Sequence, residues 1–276
     1  MIESIELARS RWSLTEIDPI ADTATSNVYR VRLPDGSRAA LKILKPYGAD
    51  EINGARLMEW YAGAGAARII AIAEPMILME WLELGRLGNV VRSGRDDEAT
   101  AILCDVAQQL HRPRGAAPTG LKPLRQQFET LFASDAAMWP ASHLSHVARA
   151  MAMAAALFDT VPSPIPLHGD FHHDNVVGSQ RGWMAIDPKG LFGDPAYEVA
   201  NVFRNPYGAG ELARRPERID RLADAFSARM GWDRRRVLQW AAVHSAISAC
   251  WDHGAGNAFD WDVTMLPLLL AAVDRA

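Results

Sequence analysis

Between Ser163 and Glu198 the chain reads SPIPLHGDFHHDNVVGSQRGWMAIDPKGLFGDPAYE. Glycine, proline and aspartate recur too closely there for a helix, whereas the flanking segments carry helical spacing. Only two short apolar runs interrupt it: Val176-Val177, and Trp183 to Ile186 beyond the turn at Gly178 to Gly182. These predict loops carrying one small strand hairpin, whose return leg brings Asp187 back beside Asn175.

Upstream the pattern is different. Ser26 to Leu44 alternates apolar and polar residues on both sides of Pro34-Asp35-Gly36, a strong hairpin signal. A helix is predicted over Ala49 to Gly65, then strands over Ala67 to Glu74 and Pro75 to Leu82. Helical periodicity takes over at Ala99 to His111, Leu121 to Phe132 and His143 to Phe158. It returns at Tyr197 to Phe203, Arg218 to Met230, Arg234 to Trp251 and Val263 to Val273. The predicted order is a small β-rich lobe over residues 1–82, a connector near Glu83 to Gly88, and a mainly helical lobe over residues 83–276. A cleft between two lobes is a common ligand site.

A net charge of −4 argues against a nucleic-acid partner and suits a cationic small molecule better. Cys104 and Cys250 lie far apart in apolar helical surroundings and read as buried thiols, without a disulfide framework. The first residues lack an apolar signal core, and no apolar run approaches the ~20 residues that span a bilayer. The expected location is cytoplasmic, with no membrane partner; the oligomeric state is not legible.

Two chemistries compete for HGDFHHDN, His168 to Asn175. His168, His172 and His173 are potential zinc ligands, but zinc histidines usually sit four apart on a helix, which Pro166, Gly169 and Val176-Val177 oppose. In the other reading Asp170 takes a proton from a hydroxyl attacking phosphorus. Asn175 offers an amide oxygen to Mg²⁺, and Asp187 reaches the same ion from the hairpin. An Asp, an Asn five residues on and a strand-end Asp follow the logic of kinase catalytic loops.

The stretch LHGDFHHDN through GWMAIDPKGLFGDPAYEVANVFRNP resembles the aminoglycoside phosphotransferase family, most closely its streptomycin 6-kinase and hydroxyurea phosphotransferase branch. That branch shows HGDxHHxN, then RGWxxIDPxGLxGxxxxxxAN. The resemblance implies an α+β, bilobal protein-kinase-like fold using ATP and Mg²⁺. It implies Asp170 as the catalytic base, Asn175 and Asp187 as metal ligands, and His168 as a structural histidine.

For the nucleotide, Lys42 in the apolar strand AALKIL is the candidate phosphate-binding cation. Glu51 is chosen to orient it, with Glu59 open because the helix phase is uncertain by a turn. No glycine-rich loop covers the phosphates; Ser26 and Asn27, with Thr25, take that place, and a plain β-turn accounts for them equally well. By comparison with the family, the carbonyl of Glu80 and the N–H of Leu82 are candidates for reading adenine. About ten residues separate Asp187 from the next helix, too few to align a peptide, so a small-molecule acceptor is expected. Glu198 is read as structural, pairing with backbone N–H groups of the catalytic loop. Candidate substrate contacts are Asp194, which is equally an N-cap, and Asp252, Asp260 and Asp262, acids beside Trp251 and Trp261. The expectation is an ATP-dependent O-phosphotransferase acting on streptomycin at its 6-hydroxyl. A kinase for hydroxyurea, an amino-sugar or an alcohol, or a non-catalytic nucleotide-binding protein, are the alternatives.

Overall fold

The computed structural model describes residues 2–48, 50–254 and 260–276, and the side chains of 3–48, 50–253 and 264–276 among them. Helix α1 (Ile2–Trp12) precedes strands β1 (Ile17–Asp22), β2 (Ser26–Arg32) and β3 (Arg38–Leu44). Helix α2 (Glu51–Tyr61) and strands β4 (Ile69–Ala73) and β5 (Met76–Glu80) follow. The five strands form one antiparallel sheet in the order β1-β2-β3-β5-β4. The alternation around Pro34-Asp35-Gly36 closes as expected, with Gly36 supplying a φ of 82°.

Period-2 alternation gives this sheet two apolar faces. Tyr29, Val31, Ala39, Leu41 and Ile43 pack on one side with Ala8 of α1. Helix α1 was not predicted, because its apolar stripe is thin: Ile5, Ala8 and Trp12 among charged residues. Leu44, Ile77 and Met79 pack on the other side with Ala55 and Met58 of α2. Lys42 points from this second face.

The remainder is mainly helical: α3 (Leu87–Arg92), α4 (Asp96–Leu110), α5 (Leu124–Gln127), α6 (Glu129–Phe132) and α7 (Leu144–Asp159), then α8 (Gly210–Ala213), α9 (Pro216–Met230), α10 (Arg234–Gly254) and α11 (Asp260–Arg275). From Val237 to Cys250, α10 is buried on nearly every face, and it packs against α7, α9 and α11. The single helix expected over Leu121 to Phe132 is instead a two-residue strand, β6 (Lys122–Pro123), and two short helices. The break at Phe128 drops that ring into an aromatic cluster with Phe158, Tyr197 and Trp240. Strand β6 pairs with β10 (Leu191–Gly193), which also pairs with β7 (Ile165–Leu167). The predicted hairpin is β8 (Val176–Ser179) and β9 (Gly182–Ala185). Residues Pro195–Arg204 form a 3-10 helix. Cys104 and Cys250 are buried free thiols. No helix among the described residues is long and apolar enough to cross a membrane.

Candidate active site

The sheet and the central loops enclose a cleft of about 240 Å³. Its walls include Thr23, Thr25, Ser26, Val28, Lys42, Glu51, Met79, Asp170, His172, Asn175, Asp187 and Lys189. Lys42 is buried, with Nζ 2.6 Å from Glu51 Oε2 and donating a hydrogen bond of 2.9 Å to Asp187 Oδ1. The Glu51 contact is an ion pair rather than an in-line hydrogen bond. Glu59 lies on the exposed face of α2, so the helix phase brings Glu51 to the lysine. Burial alone pulls the Lys42 ammonium down, but Asp187 and Glu51 more than offset it and hold it above its ordinary value. Burial likewise pushes the Asp187 carboxyl up; the Lys42 charge and hydrogen bond outweigh this and hold it below the usual carboxylate range.

Asp187 has a φ of 57°, a left-handed conformation that a non-glycine residue adopts at a cost of roughly 1–3 kcal/mol. Two glycines press its segment against α2. A Cβ on Gly54 would lie 1.9 Å from Pro188 O, and one on Gly190 would lie 2.9 Å from Asn53 C. The helix carrying Glu51 thus docks backbone-to-backbone on the segment carrying Asp187.

The loop before the hairpin is held from below. Buried Glu198 accepts hydrogen bonds from the His168 N–H (3.0 Å) and the Gly169 N–H (3.1 Å), and its Oε2 lies 2.9 Å from His111 Nε2. Burial raises the Glu198 carboxyl, but the hydrogen bond with His111 and the loop N–H groups win and hold it low. This is the backbone-pairing arrangement expected for Glu198. His168 is fully buried and kept neutral by burial: Nδ1 accepts from the Asp170 N–H (3.3 Å), so Nε2 donates to Ile186 O (2.9 Å). The Asn175 side-chain amide donates to Asp170 O (2.9 Å), which turns its oxygen to the cleft. Asp170 Oδ1 accepts from Asn201 Nδ2 (2.8 Å), and Asn201 accepts in turn from Asn205 Nδ2 (2.9 Å). Asp170 Oδ2 has Lys189 Nζ at 4.0 Å.

Several expected contacts are placed elsewhere. Ser26 lines the cleft, but its backbone N–H is taken by Thr23 Oγ1 (3.0 Å) and cannot serve a phosphate; the turn itself is Thr23 to Thr25. Asn27 alternates onto the opposite sheet face, in register with Ile43. The Glu80 carboxylate pairs with Arg181 and accepts from the Arg68 N–H, and the Leu82 side chain packs on the cluster of Ile77 and Met79; neither engages the Glu80 carbonyl or the Leu82 N–H, the backbone groups expected to read adenine. Asp194 does not reach the cleft. It is 1% exposed, caps the 3-10 helix through the Ala196 N–H (3.0 Å), and accepts from Arg236 Nε (2.6 Å) and Trp240 Nε1 (2.7 Å). Its reading as a substrate contact is corrected to that of a buried cap. Asp252 lines a second cavity of about 640 Å³ with Arg204, Asn205, Tyr207, Glu211 and Arg214. The Asn205–Asn201–Asp170 chain of hydrogen bonds joins this cavity to the cleft. Asp260 and Asp262 lie outside the described side chains. The three histidines of HGDFHHDN do not converge: His168 and His172 accept from different backbone N–H groups, and His173 is buried with neither ring nitrogen partnered.

Residues 11–256 match the family described as aminoglycoside/hydroxyurea antibiotic resistance kinase. The chain belongs to this family. It is 39% identical over 254 residues to a streptomycin 3''-kinase of Klebsiella pneumoniae, covering 89% of this chain and 91% of that one. It is 30% identical to a hydroxyurea phosphotransferase of Kitasatospora aureofaciens, covering 88% and 70% of the two chains. To a streptomycin 6-kinase of Streptomyces griseus it is 28% identical, covering 88% and 80%. A thermostable aminoglycoside phosphotransferase in complex with AMP-PNP and hygromycin B superposes with a TM-score of 0.72 at 16% identity, covering 99% and 98%. These likenesses establish the bilobal protein-kinase-like fold and antibiotic-kinase membership; they do not support specificity for the 6-hydroxyl of streptomycin. Within this kinase family's pattern, Asn201 stands in the final AN pair, so its signal was present although its partner was not legible. Thr23, His111 and Lys189 carried no such signal.

Proposed function

We propose that this kinase transfers the γ-phosphoryl group of ATP to a hydroxyl of streptomycin. The observation that carries the reading is the orientation of Asp170. Asn201 occupies Oδ1, so Oδ2 is the oxygen left for an incoming hydroxyl, in the cleft that Asn175 and Asp187 also line. Lys42, steadied by Glu51 and Asp187, is placed for the remaining phosphates. The donors offered by Asn175 and Asp187 are oxygens only, and among the described residues no group of three or more His, Cys, Asp or Glu is set to hold a metal. Such a sparse set fits Mg²⁺, which completes its shell with phosphate and water oxygens. Bound there, the ion would supply charge neutralisation at the phosphates.

The chain's own work is then positioning. Glu198 and His168 fix the loop, Asn201 fixes Asp170, and Asp170 Oδ2 accepts the acceptor's proton. The acceptor is proposed to sit toward the second cavity, where Glu211 and Asp252 line the wall with Arg204 and Arg214 and an acceptor guanidinium would compete with Arg204 for Asp252. The relative at 39% identity is a 3''-kinase and the 6-kinases stand at 28%, so we favour the 3''-hydroxyl.

The test is transfer of label from γ-labelled ATP with Mg²⁺ to streptomycin, hygromycin B or hydroxyurea, with the product's phosphate located by NMR. Label on the 3''-oxygen of streptomycin is expected, and Asp170→Asn is expected to slow it at least ~100-fold. Label on hydroxyurea alone would move the substrate to the other named activity in the family.

A further inference from the structure

We propose that Lys189 is a second catalytic cation, which meets the phosphoryl group in flight on the side of the acceptor. The inference rests on the phosphoryl-transfer reading above and adds a residue that the family pattern leaves variable.

The backbone at Lys189 is fixed on two sides. Its N–H donates to His168 O at 2.7 Å, tying it to the catalytic loop. The next residue, Gly190, is pressed against the backbone of Asn53 and Gly54 at a φ of 68°. The side chain reaches into the open: it is 47% exposed, lines the cleft, and ends 4.0 Å from Asp170 Oδ2. A fixed backbone under a half-exposed, flexible four-carbon stem suits a group that must follow a moving phosphoryl.

Charge makes the need specific. The cleft walls carry three carboxylates, Glu51, Asp170 and Asp187, against two cations, Lys42 and Lys189. Lys42 is already engaged by Glu51 and Asp187. Among the described residues lining this cleft there is no arginine. Phosphoryl transfer spreads negative charge over three equatorial oxygens, and a cation that meets them only at that stage lowers the barrier rather than tightening the ground state. Lys189 is the lining cation left for this, and its contact with Asp170 puts it at the acceptor end.

The acceptor oxygen forms its bond to Pγ while the bond from Pγ to the bridging oxygen breaks, and the electron pair leaves on ADP. The hydroxyl proton passes to Asp170 Oδ2 and from there to water. Lys189 takes no part in the proton transfer and turns from Asp170 toward the equatorial oxygens.

The test compares wild type with Lys189→Met and Lys189→Arg in two readouts. The first is the affinity for MgADP alone and for MgADP with aluminium fluoride, a mimic of the phosphoryl in flight, measured by calorimetry. The second is kcat and the KM for ATP. Lys189→Met is expected to lose most of the affinity gained from aluminium fluoride, while MgADP alone binds within about threefold of wild type. Its kcat is expected to fall about 100-fold at unchanged KM, with Lys189→Arg recovering part of both. Retention of the fluoride gain by Lys189→Met overturns the proposal, as does an equal loss for MgADP alone, which marks a structural role. A selective loss in an enzyme that labels none of the acceptors tried leaves Lys189 standing and removes only the choice of acceptor. No fluoride gain in wild type, in an enzyme that transfers label, overturns the proposal for Lys189 and leaves the phosphoryl-transfer reading standing.

Discussion

Asp170 and Asp194 share one glycine- and proline-rich stretch, yet the structure gives them opposite surroundings. Asp170 keeps one oxygen toward the cleft, whereas both oxygens of Asp194 are consumed by Ala196, Arg236 and Trp240. A buried carboxylate holding a guanidinium is costly to neutralise, because the partner charge is left without compensation. Asp194→Asn is therefore expected to lower unfolding free energy by about 3 kcal/mol in urea titrations, with the KM for acceptor unchanged in the folded fraction. A raised KM at full stability would restore the substrate reading. Asn201 makes the converse case. Removing its amide frees Asp170 to rotate, so Asn201→Ala is expected to cut kcat at least ~10-fold while leaving the dissociation constant for ADP in place. Equal losses in both would show that it only supports the fold.

Helix α2 shows how an element's cost explains its use. A glycine inside a helix costs about 1 kcal/mol against alanine, so on propensity alone Gly54→Ala stabilises. The structure reverses the sign, because the new Cβ would fall 1.9 Å from Pro188 O, and backbone on both sides cannot yield cheaply. Gly54→Ala is expected to lower the unfolding midpoint, by about 1–3 kcal/mol, and to weaken ADP binding by moving Glu51 from Lys42. A more stable protein with intact binding would show that the two backbones are not in contact. This also marks the limit of what was legible. The alternation of β2 and β3 and the spacing of Asp170, Asn175 and Asp187 are local patterns, and they told the hairpins and the site. The break at Phe128, the thin stripe of α1 and the docking of Gly54 on Pro188 answer to neighbours remote in sequence. Asp194 was ambiguous for the same reason: an N-cap and a ligand contact look alike until Arg236 and Trp240 arrive from α10.

At the scale of the whole molecule, burying histidines makes stability depend on pH. His168 and His244 are both nearly without exposure, and burial lowers both, His244 to about 3. His244 Nδ1 faces the Tyr197 hydroxyl at 2.9 Å and its Nε2 has no partner, with Arg204 and His172 adding unfavourable positive charge. His168 sits among carboxylates that pull the other way, Glu198, Asp170 and Asp187, and burial still prevails. The unfolded chain takes up a proton on each ring near its ordinary value of 6.5, while the folded chain refuses it. Stability is thus flat above about pH 7, falls as the pH drops through the unfolded value, and levels only below the folded ones. Each ring contributes up to about 1.4 kcal/mol per pH unit in that window, so His244 alone removes about 2 kcal/mol between roughly pH 6.5 and 4.5. Against a total of about 5–15 kcal/mol for a typical domain, the His244 contribution alone is a large fraction, and His168 acts in the same direction. Urea titrations across this range are expected to show a steep loss of unfolding free energy. His244→Gln, which cannot titrate, is expected to start lower at neutral pH, through loss of packing on Trp251, and to follow a shallower slope that converges on wild type in acid. Parallel slopes for the two proteins would mean that His244 is protonated in the folded state, and that the acid sensitivity of the molecule has another source.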